Sequence, residues 1–282
     1  MGTSDFAFFI DIITLIFALF VTPMGTSWRR LLLALVGLSI VVALFPGTLA
    51  TFGYFLIAFT ATAIAALSIR HRRIASNLWL SRVSDPIVLS PPFVGTWKVL
   101  AGGADPRYNH HQRVQDQYFA YDFGRMDKDT WDSEIVAPCD GAIAHIEDWH
   151  EDAAPNRQNK DLAFPAGNYV AVRTQRGYII LAHLRQHSIM VRDGAVVRAG
   201  DVIARCGNSG NTTLSHLHLH AQDKPRVAPF TRANGIPVAF TDDASDARIL
   251  KHGDTLNRSG FQPNSKGYAT RFMRPKMPWR PK

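Results

Sequence analysis

The chain has 282 residues, a formal net charge of +8 and a pI near 9.7. This length is too great for one minimal domain and too small for three. The basic balance predicts an anionic partner or surface. We expect no nucleic-acid partner, because the arginines are scattered and no recognised nucleic-acid motif is present, and an anionic lipid or wall polymer fits better.

The N-terminal part of the chain has the composition of a membrane region. Residues 31–69 contain no charged residue. A bilayer core takes roughly 20 apolar residues per helix, so this stretch is long enough for two short spans. Residues 6–21 form a further candidate span, although Asp11 within it is unfavourable in a bilayer. We therefore predict two or three transmembrane helices in residues 1–73, and the absence of a basic N-terminal segment argues against a cleaved signal peptide.

Charge around these spans predicts an orientation. Arginine clusters at 29–30 and 70–73 follow the first and third spans, and the charge rule places both on the cytoplasmic side. With three spans, this leaves the rest of the chain in the cytoplasm. Residues 74–92 are predicted to be a juxtamembrane linker, and residues 258–282 a basic, Pro-rich tail.

Residues 93–257 show the pattern of short strands rather than helices. Asp193-Gly194 and Ala199-Gly200-Asp201 are strong turn signals. Four β-rich runs precede them at 134–138, 142–146, 167–173 and 178–183, with Gly177 between the last two. Closely spaced strands with glycine turns predict a mainly β domain with an antiparallel sheet or barrel-like sandwich.

Two cysteines, Cys139 and Cys206, lie in this domain. They are either two unpaired thiols or one disulfide, and a disulfide would place the domain in an oxidising compartment. The spacing of the two residues leaves both alternatives open.

Three histidines at a spacing of two, His216, His218 and His220, predict a metal site on a strand. Alternate residues of a strand project from one face, so a metal ligand and a catalytic imidazole can approach a single point. Imidazole nitrogen suits zinc, and a catalytic zinc normally has three protein ligands and a water. A polar strand face is the alternative for this pattern taken alone.

The run from Gly207 to His218 resembles the terminal motif of the lysostaphin-like zinc endopeptidases, a family that cleaves peptide bonds in peptidoglycan. Further elements follow in that family's order: Ala137-Pro-Cys-Asp-Gly, Asn168-Tyr-Val-Ala-Val, Leu181-Ala-His-Leu and the run 191–203. The resemblance implies an antiparallel barrel-sandwich of the duplicated hybrid motif type, here placed after N-terminal transmembrane helices. It also implies Zn²⁺ as the cofactor.

The same resemblance implies roles for individual residues. His218 is expected to be a zinc ligand, and His183 and His216 the two catalytic imidazoles. Asp122 fits the family's aspartate ligand. His220 has no matching role and is expected to decorate the strand or to support a ligand.

One ligand departs from the common pattern. The family's usual histidine stands four residues before the aspartate, where this chain has Tyr118. We expect His111 to supply the missing ligand, with His110 as the alternate ligand or a supporting donor. If both were surface loop residues, the metal would have only two ligands.

The sequence thus predicts a membrane-anchored zinc endopeptidase that hydrolyses peptide bonds in peptidoglycan stem or cross-link peptides. The alternative is a non-catalytic scaffold of the same fold that binds cell wall or regulates another hydrolase. The expected partners are peptidoglycan or a peptide substrate and a lipid membrane. We expect a multi-pass protein of the cell membrane with an extracytoplasmic domain, because the wall lies outside, although the charge rule points the other way.

Overall fold

A long helix, α1 (Thr48–Arg82), precedes the β domain in the computed structural model, which describes residues 48–126, 129–227, 229, 232–241 and 247–258. The helix continues into the segment predicted as a linker and ends at Arg82, four residues before Pro86. Neither proline nor glycine interrupts residues 74–82, so nothing in the sequence ends the helix earlier.

The predicted spans receive no support from the described part of the chain. Among the described residues, no helix is both long enough and apolar enough to cross a bilayer. The predicted span at 6–21, residues 31–47 of the longer apolar stretch, and the tail beyond residue 258 lie outside the described residues.

The end of α1 packs on the β domain. Trp79 is 1% exposed, and its indole Nε1 donates a hydrogen bond to the carbonyl of Tyr118 at 3.1 Å. Its ring lies 5.5 Å from the ring of Phe119, and the Arg82 guanidinium lies 5.0 Å from the centre of the Tyr118 ring. These contacts fix the helix end against the segment that leads into the strand carrying Asp122.

The domain is mainly β, as predicted. A nine-stranded sheet has the order β15-β2-β3-β12-β8-β7-β5-β9, with β13 added to β12, and the pairs β1-β14, β4-β10 and β6-β11 lie outside it. Its pairings are antiparallel, while β1 and β14 pair in parallel. The strands are β1 (Ile87–Leu89), β2 (Gly95–Ala101), β3 (Tyr121–Arg125), β4 (Glu134–Val136), β5 (Gly141–Glu147), β6 (Asn159–Lys160), β7 (Asn168–Arg173), β8 (Tyr178–Leu184), β9 (Val196–Val197), β10 (Val202–Arg205), β11 (Asn211–Thr212), β12 (Leu217–Gln222), β13 (Gly235–Ile236), β14 (Val238–Phe240) and β15 (Thr255–Arg258).

The four β-rich runs predicted from the sequence correspond to β4, β5, β7 and β8. Both predicted turns contain a glycine with positive φ, at Gly194 and Gly200. A glycine has no Cβ and adopts this conformation without strain, which is why these signals mark turns correctly. Cys139 and Cys206 are unpaired.

The core lies against one face of the central strands. Leu217, Leu219 and Ala221 of β12 belong to it, so the alternate residues of β12 face the opposite side. Phe93 and Trp97 stack in the same core with ring centres 4.5 Å apart. The apolar face of β12 thus anchors the strand whose other face carries the histidines.

Strand β8 contains a bulge at His183. Asn168 pairs with Leu184 and Tyr169 with Ala182, so His183 has no partner residue on β7. Its φ of 60° lies in the left-handed region, which a residue with a Cβ rarely adopts. Simple alternation from Ile179 and Leu181 would send His183 into the core, but Leu184 enters the core instead. The bulge therefore frees the imidazole for the other face of the sheet.

Candidate active site

Three neighbouring strands bring the candidate residues together. In the antiparallel register, His218 of β12 lies opposite Asp122 of β3 on one side and opposite Ala182 of β8 on the other. Directly opposed residues of such strands have Cβ atoms about 5 Å apart. The register alone therefore places a carboxylate beside an imidazole, next to the bulge at His183.

The Asp122 carboxylate is the centre of this group. Its Oδ1 lies 2.9 Å from Nδ1 of His218 and 3.5 Å from Nε2 of His216. Its Oδ2 lies 3.3 Å from Nε2 of His111 and 4.0 Å from Nε2 of His110. Two imidazoles therefore approach each oxygen of one buried carboxylate.

The upstream histidines differ sharply in exposure. A 3₁₀ turn, His110–Arg113, carries both, and the side chain of His111 is 3% exposed whereas that of His110 is 67% exposed. The buried Nδ1 of His111 finds no hydrogen-bond partner among the described residues. Leaving a buried polar group unpaired costs about 1–3 kcal/mol, so the burial of this nitrogen is unfavourable by that order.

Two candidate ligand sets share His111 and Asp122. The ligand atoms of His110, His111 and Asp122 lie within 4.8 Å of one another. The set expected from the sequence replaces His110 by His218, whose Nδ1 is nearer to the carboxylate and whose ring is buried. We favour this second set because buried, fixed imidazoles lose less side-chain entropy on binding a metal than an exposed one does.

Replacing each upstream histidine by alanine separates the two sets. We expect His111→Ala to lose bound zinc, because it removes a buried ligand, and His110→Ala to retain about one zinc per chain. Elemental analysis of the dialysed proteins measures the difference. Zinc retention by His111→Ala with loss in His110→Ala would contradict our choice of set.

His183 and His216 are each held at one nitrogen by a backbone carbonyl. Nδ1 of His183 lies 2.9 Å from the Ser209 carbonyl, and Nδ1 of His216 lies 2.8 Å from the Leu214 carbonyl. A carbonyl only accepts, so Nδ1 is the protonated nitrogen of each neutral ring. Nε2 of His183 is then its unprotonated nitrogen, whereas Nε2 of His216 faces Asp122 Oδ1 at 3.5 Å, and the two ring centres are 4.7 Å apart.

Burial and mutual charge set the protonation states of the group. Burial is the main cause that lowers the pKa of His183 well below its usual value, and charges on His216 and His218 lower it further. Burial raises the pKa of Asp122, but His111 and His216 together outweigh this and hold it well below its usual range. Burial also lowers the pKa of His216, while Asp122 raises it by more. A bound dication would oppose this last effect by repelling an imidazolium.

Sequence reasoning missed the residues that fix the surrounding loops. Asn208 is fully buried, and its side-chain amide donates to the carbonyls of Ala154 and Arg157 at 2.7 and 2.8 Å. Ser215 donates its backbone N–H to the Pro155 carbonyl at 2.9 Å. These bonds hold the loop between β5 and β6 against the segment that carries His216. The Asn-Ser-Gly turn at 208–210 was the available signal.

His220 also has a more specific place than the sequence suggested. Of the two expectations, decorating the strand or supporting a ligand, its contacts fit the second: it is buried, and its Nδ1 lies 3.0 Å from Nε2 of His218. It therefore contacts a candidate ligand directly from the same strand.

The chain has recognisable similarity to known proteins. Residues 125–229 match the profile described as Peptidase family M23, a range that includes His183, His216 and His218 and begins just after Asp122. Among solved structures, the chain is similar to a zinc-containing peptidase from Vibrio cholerae, with 23% identity over 36% of this chain and 26% of that one and a TM-score of 0.27. A putative peptidase M23 from Pseudomonas aeruginosa has 21% identity over 49% and 46%, with a TM-score of 0.32. Lysostaphin from Staphylococcus simulans has 19% identity over 41% and 40%, with a TM-score of 0.29. This chain spans less than half the length of each of these three structures.

Proposed function

We propose, from the match of residues 125–229 to Peptidase family M23, that the chain is a zinc-dependent endopeptidase acting on peptide bonds of peptidoglycan. The observation that carries this proposal is the convergence of His111, His216 and His218 on the Asp122 carboxylate. The family match indicates the type of reaction, and the side chains around Asp122 are of the types that this reaction requires.

The side chains present fit a zinc ion. His111, Asp122 and His218 offer two imidazoles and one carboxylate, which are ligand types of catalytic zinc sites. Nε2 of His111 is the ring nitrogen that faces this group, 3.3 Å from Oδ2 of Asp122. Zinc bound there would polarise a scissile carbonyl and lower the pKa of a bound water to about 7.

The protein's own residues would handle the proton and the developing charge. The rings of His183 and His216 have centres 4.7 Å apart, and backbone carbonyls hold their Nδ1 atoms, so Nε2 is the nitrogen of each ring that remains for the chemistry. One neutral imidazole accepts a proton from water, and the other stabilises the oxyanion or protonates the leaving amine. The buried surroundings of both rings strengthen these interactions.

Metal removal tests the proposed activity. We expect the purified protein to release new amino groups from isolated peptidoglycan, to lose this activity after chelation, and to regain it with added zinc. Isolated glycan strands without peptides serve as the control substrate. Zinc binding without any amino-group release from several wall types would contradict the peptidase proposal.

That negative outcome would favour a scaffold that binds wall or regulates another hydrolase. The observation that favours the scaffold is Tyr118, which stands where the common pattern has a ligand histidine. In this protein the Tyr118 side chain contacts α1 instead, because its ring lies 5.0 Å from the Arg82 guanidinium while its carbonyl accepts the Trp79 hydrogen bond. The buried His111 beside Asp122 supports the enzyme over the scaffold.

We also propose that the domain is a barrel-sandwich of the duplicated hybrid motif type and that residues 1–73 anchor it in the cell membrane. An extracytoplasmic position follows from the proposed substrate, since peptidoglycan lies outside the cytoplasmic membrane. The uncharged stretch 31–69 supports the anchor. Protease protection in intact cells tests on which side of the membrane the domain lies. We expect digestion of the domain without lysis, and protection until lysis would contradict the extracytoplasmic position.

A further inference from the structure

A chain of side-chain contacts leads away from Asp122 along one face of β12. Nδ1 of His218 lies 2.9 Å from Asp122 Oδ1, and Nε2 of His218 lies 3.0 Å from Nδ1 of His220. Nε2 of His220 then lies 2.9 Å from Oε1 of Gln222. The three β12 residues are buried, so these contacts do not exchange freely with water.

Gln222 fixes the direction of the hydrogen bonds in this chain. Its side-chain nitrogen donates to the carbonyls of Lys224 and Arg226, both at 2.8 Å. Because both partners are acceptors, the NH₂ end of the amide must face them and cannot exchange places with the oxygen. Oε1 of Gln222 is therefore left facing His220 as an acceptor.

The acceptor on Gln222 determines which nitrogen of His220 donates, and His220 in turn determines which nitrogen of His218 donates. An acceptor on Gln222 requires the proton of neutral His220 to be on Nε2, which leaves Nδ1 of His220 as an acceptor. That acceptor in turn requires a proton on Nε2 of His218. A neutral His218 consequently turns an unprotonated Nδ1 toward the Asp122 carboxylate.

Two acceptors facing each other at 2.9 Å do not form a hydrogen bond. The contact between Nδ1 of His218 and Oδ1 of Asp122 becomes favourable when a cation binds to both lone pairs, or when His218 is protonated on both nitrogens. A metal ion between these atoms is the first case, and neutral His218 is already in the tautomer that a metal requires. The backbone carbonyls at 224 and 226 thus determine the tautomer of a ligand at the other end of the strand.

We propose that His220 and Gln222 are positioning residues that fix the tautomer and ring orientation of His218 for metal binding. The inference rests on the proposed function in that it takes His218 as a zinc ligand. Partners of ligand imidazoles commonly contribute 10–100-fold to metal affinity. His220 and Gln222 act through His218 and touch neither the substrate nor the metal.

Nitrogen-15 NMR of the histidine rings in the metal-free protein tests the hydrogen-bond direction without any variant. We expect protons on Nε2 of both His218 and His220, and an unprotonated Nδ1 on His220. The signals of each ring are assigned by their loss in His218→Gln and His220→Gln. A proton on Nδ1 of His220, with Nε2 unprotonated, would overturn the proposal.

Zinc affinity of paired variants at 220 tests the consequence. His220→Phe keeps an aromatic ring but offers no acceptor to His218, and we expect its zinc Kd to rise about 10–100-fold in competition with a chromophoric chelator. His220→Gln accepts with its oxygen and donates with its nitrogen, so its Kd should stay near that of the parent. His145→Phe is the matched control, because His145 contacts Glu147 on a different strand, and its Kd should not change.

The outcomes separate this proposal from the proposed function. Equal zinc Kd values for His220→Phe and the parent would overturn the positioning role, even if the parent hydrolyses peptidoglycan. A parent that binds zinc but hydrolyses nothing would contradict the function and leave the positioning role standing. If His220→Phe fails to fold, as judged by circular dichroism, the metal-free NMR measurement still decides the direction of the hydrogen bonds.

Discussion

Replacing His216 by alanine is expected to abolish hydrolysis while leaving about one zinc per chain. The ring lies 3.5 Å from Asp122, but its Nδ1 is held by the Leu214 carbonyl and its role in our assignment is proton transfer. Positioned acid–base groups contribute about 10²–10⁴-fold to rate, so the loss should be at least 100-fold. Amino-group release from peptidoglycan and elemental analysis of the same preparation measure both quantities.

The matched control is His252→Ala. His252 stacks on Tyr108, and its Nδ1 contacts the Leu100 carbonyl, outside the group around Asp122. Its removal should leave both rate and zinc content unchanged. If His216→Ala lost its zinc, His216 would be a ligand, and the roles assigned to His216 and His218 would have to be exchanged.

Replacing Asp122 by asparagine is expected to remove zinc and activity together. The change keeps the shape of the side chain but removes the one negative charge that His111, His216 and His218 share. A residue that supports a ligand contributes 10–100-fold to affinity, so the loss of a ligand's charge should exceed about 100-fold. The amide nitrogen can donate to the unprotonated Nδ1 of His218, so we expect the metal-free domain to remain folded.

Asp85→Asn is a suitable control because it is the same chemical change at a distant, exposed position. Asp85 has a φ of 49°, a conformation that asparagine tolerates, and pairs with Arg176 on the surface. Zinc content should fall only in Asp122→Asn. Full zinc occupancy in that variant would show that the metal does not bind at Asp122.

The strands and the strand-borne histidines were accessible from the sequence because their signals are local. The two-residue spacing of His216, His218 and His220 predicted one strand face. Strand β12 carries His218 and His220 opposite its apolar Leu217 and Leu219, and His216 directly precedes the strand. Continuing the same spacing by one step would have reached Gln222. Its importance depends on two backbone carbonyls beyond the strand, which no local pattern reveals.

Other parts of the site depend on tertiary contacts and could not be read from the pattern. The burial of His111 and the exposure of His110 follow from packing of a 3₁₀ turn on the sheet, and adjacent identical residues carry no sequence signal for this. The helix end at Arg82 lies beyond the predicted boundary because Trp79 docks on Tyr118 and Phe119. The roles of the individual residues stay predictions until the variants are measured.

The bulge at His183 sets stability and activity against each other at one position. A left-handed backbone at a residue other than glycine is unfavourable by about 1 kcal/mol or more. Glycine would relieve that strain but would remove the imidazole, so changes that stabilise this strand act against the chemistry proposed for it. Efforts to raise the thermal stability of the domain should therefore leave residue 183 unaltered and draw on positions remote from the bulge.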